Sequence, residues 1–124
     1  MTIGLIFVTF NAEAFIRRTL DAVAVQTRPP DEIVIVDNAS SDGTRAVLDD
    51  ATRGWRAPVR VIAAGSNLGF AAANNRAVAL LQSCDAVALL NPDAVPEPGW
   101  LAALVAAAEA HPEAASFASR LMLD

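Results

Sequence analysis

Four short apolar runs alternate along the chain with longer segments whose apolar positions recur every three to four residues. The short runs cover residues 3–10, 32–36, 59–63 and 86–90. Near-continuous Val, Ile and Leu over this length are typical of strands that are buried on both faces, as in a parallel sheet. The pattern therefore predicts four β-strands.

The longer segments have helical periodicity. In the first, Phe15, Ile16, Leu20 and Val23 share one face, and the Pro29-Pro30 pair follows its end. Further helices are predicted over residues 44–53, 70–82 and 100–108, and residues 115–123 can begin another strand. Right-handed crossovers between parallel strands then give an open α/β sheet with helices on both faces, similar to a Rossmann sheet.

The composition is compatible with one domain that has a hydrophobic core. Of the 124 residues, 54% are hydrophobic and 19% charged, and mean hydropathy is +0.38. We expect no disorder, because a chain of this composition can bury ample apolar surface. We expect no transmembrane segment, because no stretch of about 20 residues lacks charges or strong breakers. No positively charged leader begins the sequence, and Cys84 is the single cysteine. A reducing, cytoplasmic setting is the simplest interpretation.

The charged residues of the chain exclude further classes of protein. The net charge is −5, and all nine basic residues are Arg. An acidic chain of this kind is not expected to bind nucleic acid. The absence of Lys also excludes mechanisms that need one, such as a P-loop or a Schiff base.

Short polar residues follow each predicted strand. In open α/β sheets, ligands bind beyond the carboxyl ends of the strands, which lie along one edge. The polar segments there are residues 9–11, 37–44, 65–70 and 91–93. Their convergence at that edge predicts a binding site.

Each segment also has a purely structural explanation. Asn11 can cap the first helix instead of binding a ligand, and residues 40–43 suit a turn and a helix cap. Asp37 directly follows a buried run, where its carboxylate needs a polar partner that a ligand hydroxyl or amide would supply. Gly69 suits a positive φ or a close backbone approach, next to a helix N-terminus that can face a phosphate. Asn75, one turn into that helix, can simply tie down the loop.

Asp93 is the sharpest candidate for a metal ligand. Pro92 stiffens the turn before it. Mg²⁺ or Mn²⁺ is commonly held by one or two carboxylates together with substrate phosphates. One Asp in a nucleotide cleft is chemically sensible on that basis, with a diphosphate supplying further oxygens, although an Asp that caps the turn is the alternative.

Together these segments resemble family 2 glycosyltransferases with the GT-A fold, over nearly the whole chain. The motifs are Val-Thr-Phe-Asn at residues 8–11, Val-Asp-Asn-Ala-Ser-Ser-Asp-Gly-Thr at 36–44, Asn-Leu-Gly-Phe at 67–70 with Asn75, and Leu-Leu-Asn-Pro-Asp at 89–93. The Asp-Asn-x-Ser and Asn-Pro-Asp forms are most similar to the rhamnosyltransferase-like branch, whose donors are often dTDP-rhamnose or related nucleotide sugars.

The resemblance implies a role for each motif. Thr9, Phe10 and Asn11 would lie at the nucleotide, and Asp37 and Asn38 would bind base and ribose. Asn38 stands where many relatives have Asp, and its amide oxygen can still accept from a pyrimidine N3–H. The remaining implied ligands are Asn67, Gly69 and Asn75 at the nucleotide and phosphate wall, Asn91 at the first position of the Asp-x-Asp motif, and Asp93 at the divalent cation.

The implied reaction is inverting transfer of a sugar from a dTDP- or UDP-linked donor to a glycan or lipid-linked hydroxyl acceptor. The products would be polysaccharides or cell-envelope glycans, made in the cytoplasm or at the inner face of the membrane. The family's acidic base lies further along the domain, so we expect it beyond Asp124. Residues 1–124 would then be the nucleotide-binding half of a catalytic domain, with an apolar surface that favours self-association.

Three other classes compete with a transferase. A nucleotide-sugar-binding module without catalysis would have the same motifs. A receiver-type signalling domain is also a small acidic α/β domain, but it needs an acidic pair after the first strand and a lysine, and both are lacking. A dinucleotide-binding dehydrogenase is disfavoured because Gly-x-Gly-x-x-Gly does not follow the first strand.

Overall fold

The computed structural model describes residues 1–123 and contains the four strands and four helices that the periodicity predicts. Strand boundaries differ from the predicted ones by at most one residue and helix boundaries by at most two. The elements are β1 (Ile3–Thr9), α1 (Ile16–Ala24), β2 (Glu32–Asp37), α2 (Thr44–Ala51), β3 (Val59–Ala63), α3 (Phe70–Leu80), β4 (Ala86–Leu89) and α4 (Trp100–Ala110).

The four strands form one parallel sheet in the order β3-β2-β1-β4. β1 lies inside the sheet, between the two strands with which it pairs. Leu5 of β1 is opposite Ile33 of β2 and Ala88 of β4. Such a strand contacts protein on both faces, which explains why its sequence is apolar without alternation.

Each face of the sheet has its own apolar core. On one face, Leu5 and Phe7 pack with buried residues of α1, α2 and α4. On the other face, Ile6 and Val34 pack against Ala73 and Ala77 of α3. The predicted α/β architecture with helices on both faces is therefore confirmed.

α3 covers only part of its face. It contacts β1 and β2. Leu89 of β4, paired in register with Ile6, lies on the same face but is 58% exposed, and Val87 is also exposed. The α3 side of β4 is thus an uncovered apolar surface.

Residues 115–123 do not form the additional strand that was expected. The segment is exposed throughout. A strand needs a neighbour for its backbone hydrogen bonds, and this segment has none among residues 1–123. Its contact with the domain includes a hydrogen bond of 2.7 Å from Trp100 Nε1 to Ser119 Oγ.

Carboxylates tie the amino ends of the strands together. Asp31 accepts hydrogen bonds from the Ile3 amide at 2.8 Å and from Arg28 at 2.9 Å. The backbone bond to Ile3, helped by Arg28, lowers the pKa of Asp31. Asp85 accepts from the amide and hydroxyl of Thr2, and these bonds lower its pKa in the same way.

Among the described residues, no helix has both the length and the apolar character needed to cross a membrane.

Candidate functional site

A cleft of about 450 Å³ lies at the carboxyl edge of the sheet, where the site was predicted. It is built from residues that belong to, or follow, all four strands. The lining residues are Val8, Phe10, Phe15, Asn38, Asn67, Gly69, Phe70, Asn91, Pro92 and Asp93.

The structure divides the ten predicted site residues into two groups. Six of them line the cleft: Phe10, Asn38, Asn67, Gly69, Asn91 and Asp93. The other four, Thr9, Asn11, Asp37 and Asn75, do not line it. Three of these four hold the loops that form its wall.

Asp37 has protein partners for its buried carboxylate. Thr9 Oγ1 donates to Asp37 Oδ1 at 2.9 Å, and Ser40 Oγ donates to the same oxygen at 2.6 Å. The Ser40 amide donates to Asp37 Oδ2 at 3.3 Å. The carboxylate of Asp37 therefore does not need a ligand as its polar partner. The sequence alone had left open that a ligand hydroxyl or amide supplies this partner.

The side-chain amide of Asn38 is bonded at both ends to one loop. Its Oδ1 accepts from the Leu68 amide at 2.8 Å, and its Nδ2 donates to the Gly69 carbonyl at 3.2 Å. Asn38 is buried. An amide suits this place because it both accepts and donates, whereas a carboxylate only accepts.

The loop held by Asn38 leads directly into α3. Gly69 has φ of 79° and ψ of 173°, so the predicted positive φ is confirmed. Asn67 Oδ1 accepts from the Gly69 amide at 2.9 Å. The first amides of α3 therefore begin at the cleft, at the end of a helix that favours anions.

Asn75 does not tie down this loop, which was the structural alternative to a role at the ligand. It is exposed on α3, and no hydrogen bond of its side chain is found within residues 1–123. Its neighbour Asn74 instead donates to the Phe70 carbonyl at 2.9 Å.

The loops after β1 and β2 are joined by side-chain to backbone hydrogen bonds. Asn11 Oδ1 accepts from the Ser41 amide at 2.8 Å, and Thr44 Oγ1 accepts from the Ala12 amide at 2.8 Å. The Gly43 amide donates to Glu13 Oε2 at 2.8 Å. Asn11 thus links two loops and does not cap α1, whose N-terminus has no side-chain cap bond.

The turn before α2 has the predicted capping side chain but no unusual backbone conformation at Gly43. Asp42 Oδ1 accepts from the Thr44 amide at 3.0 Å, as a capping residue does, and bonds from Thr44 lower the pKa of Asp42. Gly43 has an ordinary φ of −80°. A Cβ there would meet the carboxylate of Glu13, which is the flexible end of an exposed side chain.

Asp93 lies exposed on the turn that follows β4. Within residues 1–123 its carboxylate forms no hydrogen bond or ion pair, which leaves it available to a ligand. The Ala94 amide donates to the Asn91 carbonyl at 3.1 Å and closes the turn. The described part of the chain has no group of three His, Cys, Asp or Glu side chains that could hold a metal. This donor set fits a divalent cation only if ligand phosphates supply most of the oxygens.

Of the three phenylalanines around the cleft, Phe15 and Phe70 were not predicted as site residues. Phe10, Phe15 and Phe70 are 51%, 37% and 65% exposed. Phe10 alone was assigned to the site, whereas Phe15 was expected on the apolar face of the first helix. Phe15 instead precedes α1, and its side chain lines the cleft. The available clue was where each ring lies in the sequence. Phe10 lies beside Asn11, Phe15 lies at the start of the first helix, and Phe70 follows Gly69.

The chain is similar to a curated transferase over most of its length. It is 32% identical over 118 residues to the N-acetylglucosaminyl-diphospho-decaprenol L-rhamnosyltransferase of Mycobacterium tuberculosis. That alignment covers 86% of this chain and 37% of the relative. The chain thus spans little more than a third of this relative's length.

Solved structures share the fold. TarS from S. aureus, crystallised with UDP, has a TM-score of 0.77 at 24% identity, covering 90% of this chain and 33% of TarS. The mannosyltransferase PcManGT from Pyrobaculum calidifontis, in complex with GDP-Man and Mn²⁺, has a TM-score of 0.75 at 30% identity, covering 83% and 31%. The open parallel sheet with its four helices is thus a GT-A-like fold.

A family model then accounts for nearly the entire sequence. The model for glycosyl transferase family 2 matches residues 5–122. This match excludes the receiver-type alternative and agrees with the motif order at the cleft. The chain therefore belongs to glycosyl transferase family 2.

Proposed function

We propose that this chain forms the nucleotide-sugar-binding part of an inverting glycosyltransferase of cell-envelope glycan synthesis. The observation that carries the proposal is the cleft itself. The free carboxylate of Asp93, the loop that leads into α3 and exposed aromatic rings all line it. A helix N-terminus suits a diphosphate, a carboxylate suits a divalent cation bound to that diphosphate, and apolar rings suit a base.

Related proteins support a nucleotide-sugar donor and a divalent cation. TarS has been crystallised with UDP-GlcNAc, and PcManGT with GDP-Man and Mn²⁺. The mycobacterial relative is named as a rhamnosyltransferase acting on a decaprenol-linked acceptor. For this chain we propose a dTDP- or UDP-linked donor, with rhamnose as the first sugar to test, and a glycan or lipid-linked acceptor.

Residues of the cleft take distinct roles in this proposal. Phe10 packs on the base, and Asn67, Gly69 and Asn91 line the nucleotide and diphosphate. Thr9, Asn11 and Asp37 hold the loops that surround the nucleotide. Asn38 lines the cleft while its amide holds the loop before α3.

Asp93 would hold Mg²⁺ or Mn²⁺ together with diphosphate oxygens. A bound divalent cation stabilises negative charge on a departing nucleoside diphosphate. Asn91, with a neutral amide, lines the same turn and adds no charge to the site.

The general base is proposed to lie beyond Asp124. Asp93 is the one carboxylate among the described lining residues. Glu109 lies near the amino group of Met1 and Glu113 pairs with His111, both outside the cleft. This observation also favours a second candidate, in which residues 1–124 bind nucleotide sugars without transferring them.

Calorimetry with UDP or dTDP, with and without Mn²⁺, tests the proposal. We expect binding that depends on Mn²⁺ and weakens by more than about tenfold in Asp93→Ala. Asp21→Ala, which removes an exposed carboxylate on α1, is the matched control and should bind as the wild type does. A folded wild-type chain that binds no nucleotide would refute the site.

Sugar transfer separates the two candidates. With dTDP-rhamnose and a lipid-linked acceptor, the binding-only candidate predicts bound donor and no product from residues 1–124. Product release by this chain would place the base within it and overturn that part of the proposal.

A further inference from the structure

The turn that carries Asp93 is held by a side chain of α1. Thr19 is fully buried, and its Oγ1 donates a hydrogen bond of 2.7 Å to the Pro92 carbonyl. β4 ends at Leu89, so the sheet ladder stops before this turn. The peptide that links Pro92 to Asp93 is therefore fixed from the adjacent helix.

The far end of the same loop is also held by α1 and the residues after it. Gln26 Nε2 donates to the Glu97 carbonyl at 2.7 Å, and Gln26 Oε1 accepts from the Leu101 amide at 3.0 Å. The Thr27 amide donates to the Pro98 carbonyl at 2.9 Å. Residues 92–98 are thus held at both ends.

The loop needs these external donors because it has few of its own. Pro92, Pro96 and Pro98 have no N–H group and cannot donate. Inside the loop, the turn bond from Ala94 to Asn91 is the contact that orders the region around Asp93. A buried hydroxyl aimed at the Pro92 carbonyl supplies the missing restraint.

We propose that Thr19 is a positioning residue for the Asp93 cation site. The inference rests on the proposed function and assigns a role to a helix residue that touches no ligand. A ligand carboxylate binds a cation well only when its backbone is held in place, and groups that orient such ligands affect metal affinity strongly. Thr19 acts through the Pro92 carbonyl and leaves the chemistry to Asp93.

Gln26 and Thr19 differ in what they hold. Gln26 bonds to the first turn of α4 and to its own helix, at the Ala22 carbonyl, so its loss would disturb the packing of two helices. Thr19 makes one bond outside α1, and that bond reaches the Asp93 turn alone. Thr19 is therefore the cleaner residue to change.

The test compares Thr19→Val with Thr19→Ser. Valine keeps the shape and removes the donor, whereas serine keeps the hydroxyl. Thr52→Val is the matched control, because Thr52 Oγ1 donates to the Leu48 carbonyl at 2.8 Å on α2, away from the cleft. Two quantities are measured for each: UDP affinity with and without Mn²⁺, and hydrogen exchange of the peptide covering residues 91–99.

We expect Thr19→Val to weaken Mn²⁺-dependent UDP binding by about tenfold. Its UDP affinity without Mn²⁺ should stay at the wild-type value. Amide exchange at Ala94 should become faster, because the turn loses its restraint. Thr19→Ser and Thr52→Val should match the wild type in both measurements.

Each other outcome is decisive. A Thr19→Val chain that matches Thr52→Val in affinity and exchange would overturn the inference, as would equal losses with and without Mn²⁺. If the wild type shows no Mn²⁺-dependent binding, the proposed function fails. In that case hydrogen exchange alone tests whether Thr19 restrains the turn that carries Asp93. Unchanged exchange in Thr19→Val would overturn this restraint, and faster exchange would support it. If Thr19→Val does not fold, Thr19→Ala is measured in its place.

Discussion

Replacing Asn38 by Asp should destabilise this domain, although the two side chains have nearly the same shape. The amide of Asn38 donates to the Gly69 carbonyl while its oxygen accepts from Leu68. An ionised carboxylate keeps the second bond, loses the first, and faces the Gly69 carbonyl with a negative charge. It also lies next in sequence to the buried carboxylate of Asp37.

Two contributions set the magnitude. Loss of the bond leaves the Gly69 carbonyl with the Ala73 amide, at 3.3 Å, as its remaining donor, and the lost hydrogen bond costs about 0.5–1.5 kcal/mol. Burial and the neighbouring Asp37 raise the pKa of the new carboxyl, and a rise of one to two units adds about 1.4–2.7 kcal/mol at neutral pH. The sum of about 2–4 kcal/mol is a large share of the ~5–15 kcal/mol that stabilises typical domains.

Urea denaturation at several pH values tests this reasoning. A carboxyl with a raised pKa is protonated at low pH, where its O–H can donate to Gly69, so the loss of stability should be smallest near pH 4.5. As pH rises through the raised pKa the group ionises, and the loss should grow to its full value by about pH 7.5. Asn74→Asp is the control, because Asn74 also donates to one carbonyl but lies outside the cleft. Equal losses for both variants at every pH would refute the reasoning.

Two further predictions concern acid stability and association. The lowered pKa of Asp31 stabilises the fold above its unfolded value of about 3.9, and this stability is lost as pH falls through the folded value. The urea midpoint of Asp31→Asn should therefore fall less steeply than that of the wild type below pH 4, and an equally steep fall would contradict this. The uncovered face of β4 should make the chain self-associate, and Leu89→Gln should reduce the mass measured by light scattering. Val25→Gln, at a similarly exposed position away from that face, should not, and a monomeric wild type would contradict the expectation.

Local features were predictable from the sequence. The eight elements follow from apolar periodicity, and the positive φ of Gly69 follows from its place before a helix. The edge at which the loops meet follows from parallel topology alone. These features depend on neighbours in the chain or on general rules for open sheets.

Long-range partners were not predictable. The hydroxyl of Thr9 reaches Asp37, and Asn11 meets Ser41, in each case about 30 residues away. The sequence shows a buried carboxylate that needs a partner, but not which polar group supplies it. The strand expected at residues 115–123 failed for the same reason, because pairing depends on an edge elsewhere in the fold.

The place of β1 inside the sheet has a consequence for synthesis on the ribosome. Ile3 pairs with Ala86, so β1 cannot gain its second neighbour until more than eighty further residues have been made. At typical elongation rates this interval is roughly 5 to 15 seconds. During that time one edge of an apolar strand stays open to other chains. Slower translation or chaperone depletion should therefore lower the yield of native protein.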